Sequence, residues 1–224
     1  GLVVHTGDWK IDVTPQVGLP TDEARLRELG EEGVLALVCD STNAFNNDDS
    51  GSEGSVYADL LKSVTEARGR VLVTTFASNA ARLETLGNVA KAANRKLCFA
   101  GRSLHRIIEA SQSVGYLKNL PETIDMEQVD SLPRNQVMVV ATGGQGEARA
   151  ALARIAAGNH PVKLEQGDTV VFSSKQIPGN EVAIGVIMNQ LARSNILTVT
   201  EKQAHVHVSG HPGRPELAAL YDWI

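Results

Sequence analysis

From Val56 to Thr200 the chain repeats one pattern, in which a short apolar run is followed by a stretch with apolar residues at helical spacing. Val56, Leu60, Leu61 and Val64 predict a helix over Val56–Ala67, and Arg70–Phe76 then reads as a strand. Ala80–Ala93 reads as a helix with Leu83, Leu86, Val89 and Ala90 facing inward, and Lys96–Ala100 as a strand. Ser103–Val114 is a predicted helix and Asn119–Leu132 irregular; Gln136–Ala141 is a strand and Glu147–Ala157 a helix. Thr169–Phe172, Glu181–Leu191 and Ile196–Thr200 continue the series as strand, helix and strand. Near-continuously apolar strands, alternating with helices, predict the α/β class: a mainly parallel sheet flanked by helices on both faces.

The two ends differ from this. Leu2–His5 is an apolar strand that breaks at Thr6-Gly7-Asp8. Pro15, Gly18, Pro20 and Asp22 mark a loop before the polar segment Glu23–Leu29, and Gly33–Cys39 is a buried strand. Asn46–Ser55, rich in Asn, Asp, Ser and Gly, reads as an exposed loop. Near the C-terminus, Ala204–His211 holds three histidines. Alternation would place His205 and His207 on one strand face, with Val206 and Val208 on the other. Gly1-Leu2-Val3 begins inside an apparent strand and Leu217–Ile224 stops inside a helical pattern, so the chain reads as a piece of a longer one.

Composition narrows the function classes. With 224 residues and 42% hydrophobic content, a substantial core can form. A net charge of −5 argues against a global basic field but leaves room for a local basic groove. Cys39 and Cys98, each in an apolar run, read as reduced core residues rather than zinc-finger ligands. No apolar run is long enough to span a bilayer and no signal peptide opens the sequence, so a cytoplasmic protein is expected.

The predicted strands end alike, in small polar residues: Asp40–Asn43, Ala77–Asn79, Gly101–Ser103, Thr142–Glu147, Ser173–Gln176 and Ser209–His211. In a doubly wound sheet such ends line one crevice, where hydroxyls, backbone N–H groups and helix N-termini hold phosphate oxygens. Singly, each is an ordinary cap or turn. Asp8 and Asp40 both close apolar strands and are metal ligands or turn residues on this reading alone. Gly144–Arg149 lacks the third small residue of a dinucleotide fingerprint, and no P-loop is present.

These segments together resemble the bacterial ribonuclease J family, of the β-CASP branch of the metallo-β-lactamase superfamily. Thr6-Gly7-Asp8-Trp9-Lys10 is similar to its Thr-Gly-Asp-Phe-Lys segment. Asp40-Ser41-Thr42-Asn43-Ala44, Thr75–Asn79, Gly101-Arg102-Ser103, Thr142–Glu147, Phe172-Ser173-Ser174, Ile177–Glu181 and His207–His211 follow in order, over essentially the whole chain. The resemblance implies RNA as partner and hydrolysis of its phosphodiesters, as a 5′ exonuclease with endonuclease activity in RNA processing and decay. It implies two zinc ions that generate a hydroxide, and a homo-oligomer. It also implies site roles. Asp8 is the metal-bridging aspartate, Asp40 the acidic residue beside the metal, and His211 the histidine near the scissile phosphate. Ala77, Ser78 and Asn79, with His207, Val208, Ser209, Gly210 and His211, are implied to hold the substrate's phosphates.

The chain also departs from the pattern. The family's His-x-His-x-Asp-His and Pro-x-His-Gly-Glu segments do not occur in it. Gly144 stands where serine is usual, and Lys175-Gln176 departs from Ser-Ser-Ser-Pro. Among the implied zinc ligands only Asp8 is present, and one carboxylate does not hold a zinc pair. The expected organisation is therefore residues 1–40 as part of the metallo-β-lactamase domain, 41–203 as the β-CASP domain and 204–224 as a return segment. The 224 residues alone are expected to be inactive. A non-catalytic RNA- or nucleotide-binding module and an oligomerisation scaffold are the alternatives.

Overall fold

A computed structural model describes residues 1–224. The chain divides into two compact units, Gly1–Gly54 with Val208–Ile224, and Ser55–His207. The borders expected from the sequence lay earlier, after residues 40 and 203. The first unit opens with β1 (Leu2–His5), α1 (Glu23–Glu32) and β2 (Val34–Val38). The second unit carries α2 (Tyr57–Glu66), β3 (Val71–Thr74), α3 (Ala80–Ala92), β4 (Lys96–Ala100), α4 (Arg102–Ser113) and β5 (Val137–Ala141). It continues with α5 (Ala151–Ala156), β6 (Thr169–Phe172), α6 (Glu181–Arg193) and β7 (Leu197–Val199), and α7 (Arg214–Trp223) closes the first unit. No helix is long and apolar enough to cross a membrane.

The second unit is the α/β layer arrangement that the alternating pattern predicts. Its five strands run in the order β4-β5-β3-β6-β7 and every pairing is parallel. β3, β5 and β6 are buried at every position, as strands covered on both faces must be. One core joins Leu72, Val139 and Val170 of the sheet to Leu152, Ile184 and Leu191 of the helices. Beside β4, Thr123 bridges Leu97 and the Ile124 amide donates to the Leu97 carbonyl at 2.8 Å, so the irregular stretch shields one edge. At the start of the sheet, Asp168 accepts from the Arg70 amide and pairs with Arg134, while the buried Arg70 guanidinium meets Asp130 at 2.7 Å.

Several expectations need correction. The helix predicted over Glu147–Ala157 begins only at Ala151, because residues 143–150 turn after β5. Glu23–Leu29 is the start of a helix that runs to Glu32, capped by Asp22, whose carboxylate accepts the Arg25 amide at 3.0 Å. His205–Val208 has the burial alternation of a strand, with Val206 and Val208 inward, yet it pairs with no neighbour and is not one. The loop 46–55 is tied down, since Ser50 and Glu53 are each only 6% exposed. Leu217, Leu220 and Trp223 of α7 are buried. Arg27 of α1 lies 5.7 Å over the Trp223 ring of α7.

Candidate functional site

β1 and β2 pair in parallel, with His5 beside Val38, and the Thr6 amide donates to the Val38 carbonyl at 3.0 Å. Because the strands end level, Asp8 and Asp40 leave the sheet from the same end. The Thr6 hydroxyl oxygen accepts the Asp40 amide at 3.2 Å and so couples the two turns. Asp40 closes an Asx turn by accepting the Thr42 amide at 2.9 Å. Trp9 donates its indole N–H to the Asp40 carbonyl at 3.3 Å. The first unit thereby presents two carboxylates side by side, Asp8 exposed and the Asp40 side chain 8% exposed.

His211 completes the group from the other end of the chain. Its Nδ1 lies 2.7 Å from Asp40 Oδ2, and the ligand atoms of Asp8, Asp40 and His211 all fall within 4.8 Å of one another. The local turn is held by Ser209, whose hydroxyl donates to the His211 carbonyl and accepts its amide, both at 3.0 Å. Asp40 at Nδ1 fixes the ring so that the imidazole's other nitrogen is the one available for chemistry. Burial pushes the Asp40 carboxyl up, but the Thr42 hydroxyl and amide and the bond from His211 together hold it below the usual carboxylate range. Asp40 is therefore ionised at neutral pH, which favours the proton on Nδ1.

Two residues that the sequence reading passed over position this group. Glu216 in α7 is 3% exposed, and its carboxylate accepts the Ile11 amide at 2.9 Å, the Ser50 amide at 2.8 Å and hydroxyl at 2.7 Å, and the Gly213 amide at 2.6 Å. It joins the segment after Asp8 to the segment after His211. Gly213 is required there, since a Cβ would run into the Asp48 carbonyl. Lys10 donates to the Ser209 carbonyl at 3.2 Å and the Gly51 carbonyl at 2.9 Å, drawing the histidine turn toward the turn of Asp8. Glu216 follows Gly213-Arg214-Pro215, so a helix start was legible; its reach to Ser50 and Ile11 was not.

The other expected residues divide between the units. Ser209 and Gly210 flank His211 in the first, and Val208 there is buried, which leaves its backbone rather than its side chain for any ligand. Ala77, Ser78, Asn79 and His207 belong to the second unit. Ser78 is exposed at the turn after β3, while Asn79 caps α3 by accepting the Arg82 amide at 2.9 Å. The fully buried Arg82 guanidinium donates to the Ser173 carbonyl at 3.0 Å and to the Val206 carbonyl at 3.1 Å, and so holds the start of the histidine stretch beside the end of β6. Of the six polar strand ends expected to line one crevice, four (those after β3, β4, β5 and β6) lie at one edge of the five-stranded sheet. The ends at Asp40 and Ser209 belong to the other unit.

Comparison with known proteins agrees with the fold. Residues 68–191 match the model of the ribonuclease J β-CASP domain. Over its whole length the chain is 48% identical to ribonuclease J of Sinorhizobium meliloti, and spans 40% of that protein. It is 43% identical over 99% of its length to ribonuclease J of Corynebacterium glutamicum, and 40% identical over its whole length to ribonuclease J 1 of Streptococcus pyogenes, spanning 31% and 40% of them. The five-stranded parallel sheet between helices and the matched residues together place this chain in the ribonuclease J β-CASP family.

Proposed function

We propose that this chain supplies part of the active site of a metal-dependent ribonuclease, with RNA as substrate. The observation that carries the reading is the meeting of Asp8, Asp40 and His211 within 4.8 Å, in a chain similar to proteins named ribonuclease J. An exposed carboxylate, a buried ionised carboxylate and an oriented imidazole are suited to phosphodiester hydrolysis. These donors fit one divalent cation and not two, since two ions need more ligands than Asp8, Asp40 and His211 offer. Asp8 and Asp40 would hold that ion, taken as zinc, and a bound ion supplies Lewis acidity toward a phosphoryl oxygen.

The chain's own side chains do the remaining work. Asp40 orients His211 through Nδ1, which leaves the ring's second nitrogen to face a leaving oxygen and take part in proton transfer there. Ser209 and Gly210 hold a phosphate beside it through backbone N–H groups, and Ala77, Ser78, Asn79, His207 and Val208 are proposed to hold further phosphates. In a protein of its relatives' length, we place this activity in RNA processing and decay, by 5′ exonucleolytic and endonucleolytic cleavage in the cytoplasm, within a homo-oligomer that there carries a second zinc ion.

The test compares the 224-residue chain with the protein extended to its relatives' length, each given zinc and a 5′-monophosphorylated RNA. The longer protein is expected to turn over RNA, to lose turnover on chelation, and to fall at least about a hundredfold in His211→Ala. The 224-residue chain is expected to be inactive. Chelator-resistant cleavage, or full activity in Asp8→Ala, would overturn the reading.

A further inference from the structure

The second unit has a cleft of about 610 Å³ beside the C-terminal ends of β4 and β5, apart from the residues given a role in the proposed hydrolysis. Arg102, Arg106, Arg149 and Arg154 line it, and the carboxylate there is Glu147. Glu147 is occupied with the Gln145 amide, which it accepts at 3.1 Å. None of the four guanidinium groups has a carboxylate within 4.0 Å, although the chain as a whole carries a net charge of −5. Four unpaired arginines converging on one concavity repel one another, an arrangement that an anionic ligand relieves.

The walls add neutral donors. α4 starts at Arg102 without a side-chain cap, so the Arg102 and Ser103 N–H groups at the cleft have no side-chain acceptor, while the Leu104 amide is taken by the Gly101 carbonyl at 3.1 Å. The preceding Gly101, at φ +146°, packs so closely on Thr142 that a Cβ would press on the threonine hydroxyl, so the backbone at the cleft floor is in close reach. His160 also lines the cleft and is only 7% exposed. Its Nδ1 accepts the Val162 amide at 3.1 Å, so the neutral ring carries its proton on Nε2, which has no partner within the protein. Burial and the nearby Arg154 and Lys163 disfavour the charged form, which keeps the ring in that neutral state.

We infer that this cleft is a phosphate-binding site, taking the phosphoryl oxygens of a nucleotide or of an RNA backbone on Arg102, Arg106, Arg149 and Arg154 with His160 Nε2 as a neutral donor. Guanidinium forks match phosphate geometry bidentately, and the volume suits a nucleotide rather than a bare ion. The inference does not need hydrolysis or a metal, and it stands or falls separately from the activity proposed above.

The test titrates the 224-residue chain at low salt with pyrophosphate and, separately, with a pentauridylate. The exposed Arg102→Gln and Arg154→Gln are expected to weaken binding about tenfold each. Arg193→Gln, on α6 and exposed, is expected to leave binding unchanged. Weakening of both probes, or of either alone, supports the site; loss with pentauridylate alone identifies a strand, and with pyrophosphate alone a free nucleotide. No binding of either probe to the unaltered chain, or equal weakening by Arg193→Gln, overturns it.

Discussion

Glu216→Ala removes the acceptor that ties the Asp8 and His211 segments together, and its cost can be worked from the geometry. The carboxylate takes three backbone amides and one hydroxyl, at 2.6 to 2.9 Å. Once it is gone, the Ser50 hydroxyl can rotate to another partner, and the Ile11 amide, only partly buried, is the one water reaches most easily. The Ser50 and Gly213 amides remain, both buried. A charge-assisted bond lost at each, with the donor left unsatisfied, costs roughly 1.5 to 3 kcal/mol apiece, so the substitution should destabilise the first unit by about 3 to 6 kcal/mol. Glu216→Gln keeps the volume and one oxygen, and should cost about half as much. Urea denaturation followed by Trp223 fluorescence measures the loss, and hydrogen exchange at Ile11, Ser50 and Gly213 locates it. A loss under about 1 kcal/mol for Glu216→Ala, with exchange at those amides unchanged, would refute the reasoning.

Further outcomes follow from the same geometry. Burial pushes Asp12 up, but the amides of Glu53 and Thr14, the Ser52 hydroxyl and the charge of Lys10 together hold its carboxyl below the usual range. A folded pKa below the unfolded one gives stability that is present above the unfolded pKa and lost as pH falls through the folded one. The stability difference between the unaltered chain and Asp12→Asn should therefore be flat near neutrality and shrink below about pH 4, in denaturation midpoints measured across pH. Burial pushes the Cys98 thiol up to about 12, so iodoacetamide at pH 8 should label the half-buried Cys39 and reach Cys98 only after unfolding, as peptide mass mapping would show. Arg82→Met should cost about 2 to 4 kcal/mol and expose the segment at Val206 to exchange, because Arg82 links α3 to Ser173 and Val206.

The second unit was legible because its signal is local and repeated. Val71–Thr74, Val137–Ala141 and Thr169–Phe172 are apolar but for a threonine at one end of the first and last, and buried at every position, as a strand covered on both faces is. The site was legible in part. Asp8, Asp40 and His211 stood out through their segments, and the structure brings the three together across 171 residues of chain between Asp40 and His211. What stayed hidden were the links that no periodicity encodes. Glu216 looks like any first-turn glutamate, and nothing near it in sequence announces Ser50 or Ile11. Arg82 sits beside Leu83 on a helix whose inward face is apolar, and only the path of Val206 shows why a buried cation belongs there. The histidine stretch misled in the opposite direction, because Val206 and Val208 alternate like a strand while their backbone pairs with no neighbour. Side-chain burial alone produced that period.

The proposed chemistry requires a cation held by Asp8 and Asp40 beside His211. Titrating zinc into the 224-residue chain against a chromophoric chelator measures this without any need for turnover. One equivalent is predicted, abolished by Asp8→Ala and weakened at least about tenfold by Asp40→Asn. No zinc uptake, or uptake that neither substitution changes, would contradict it.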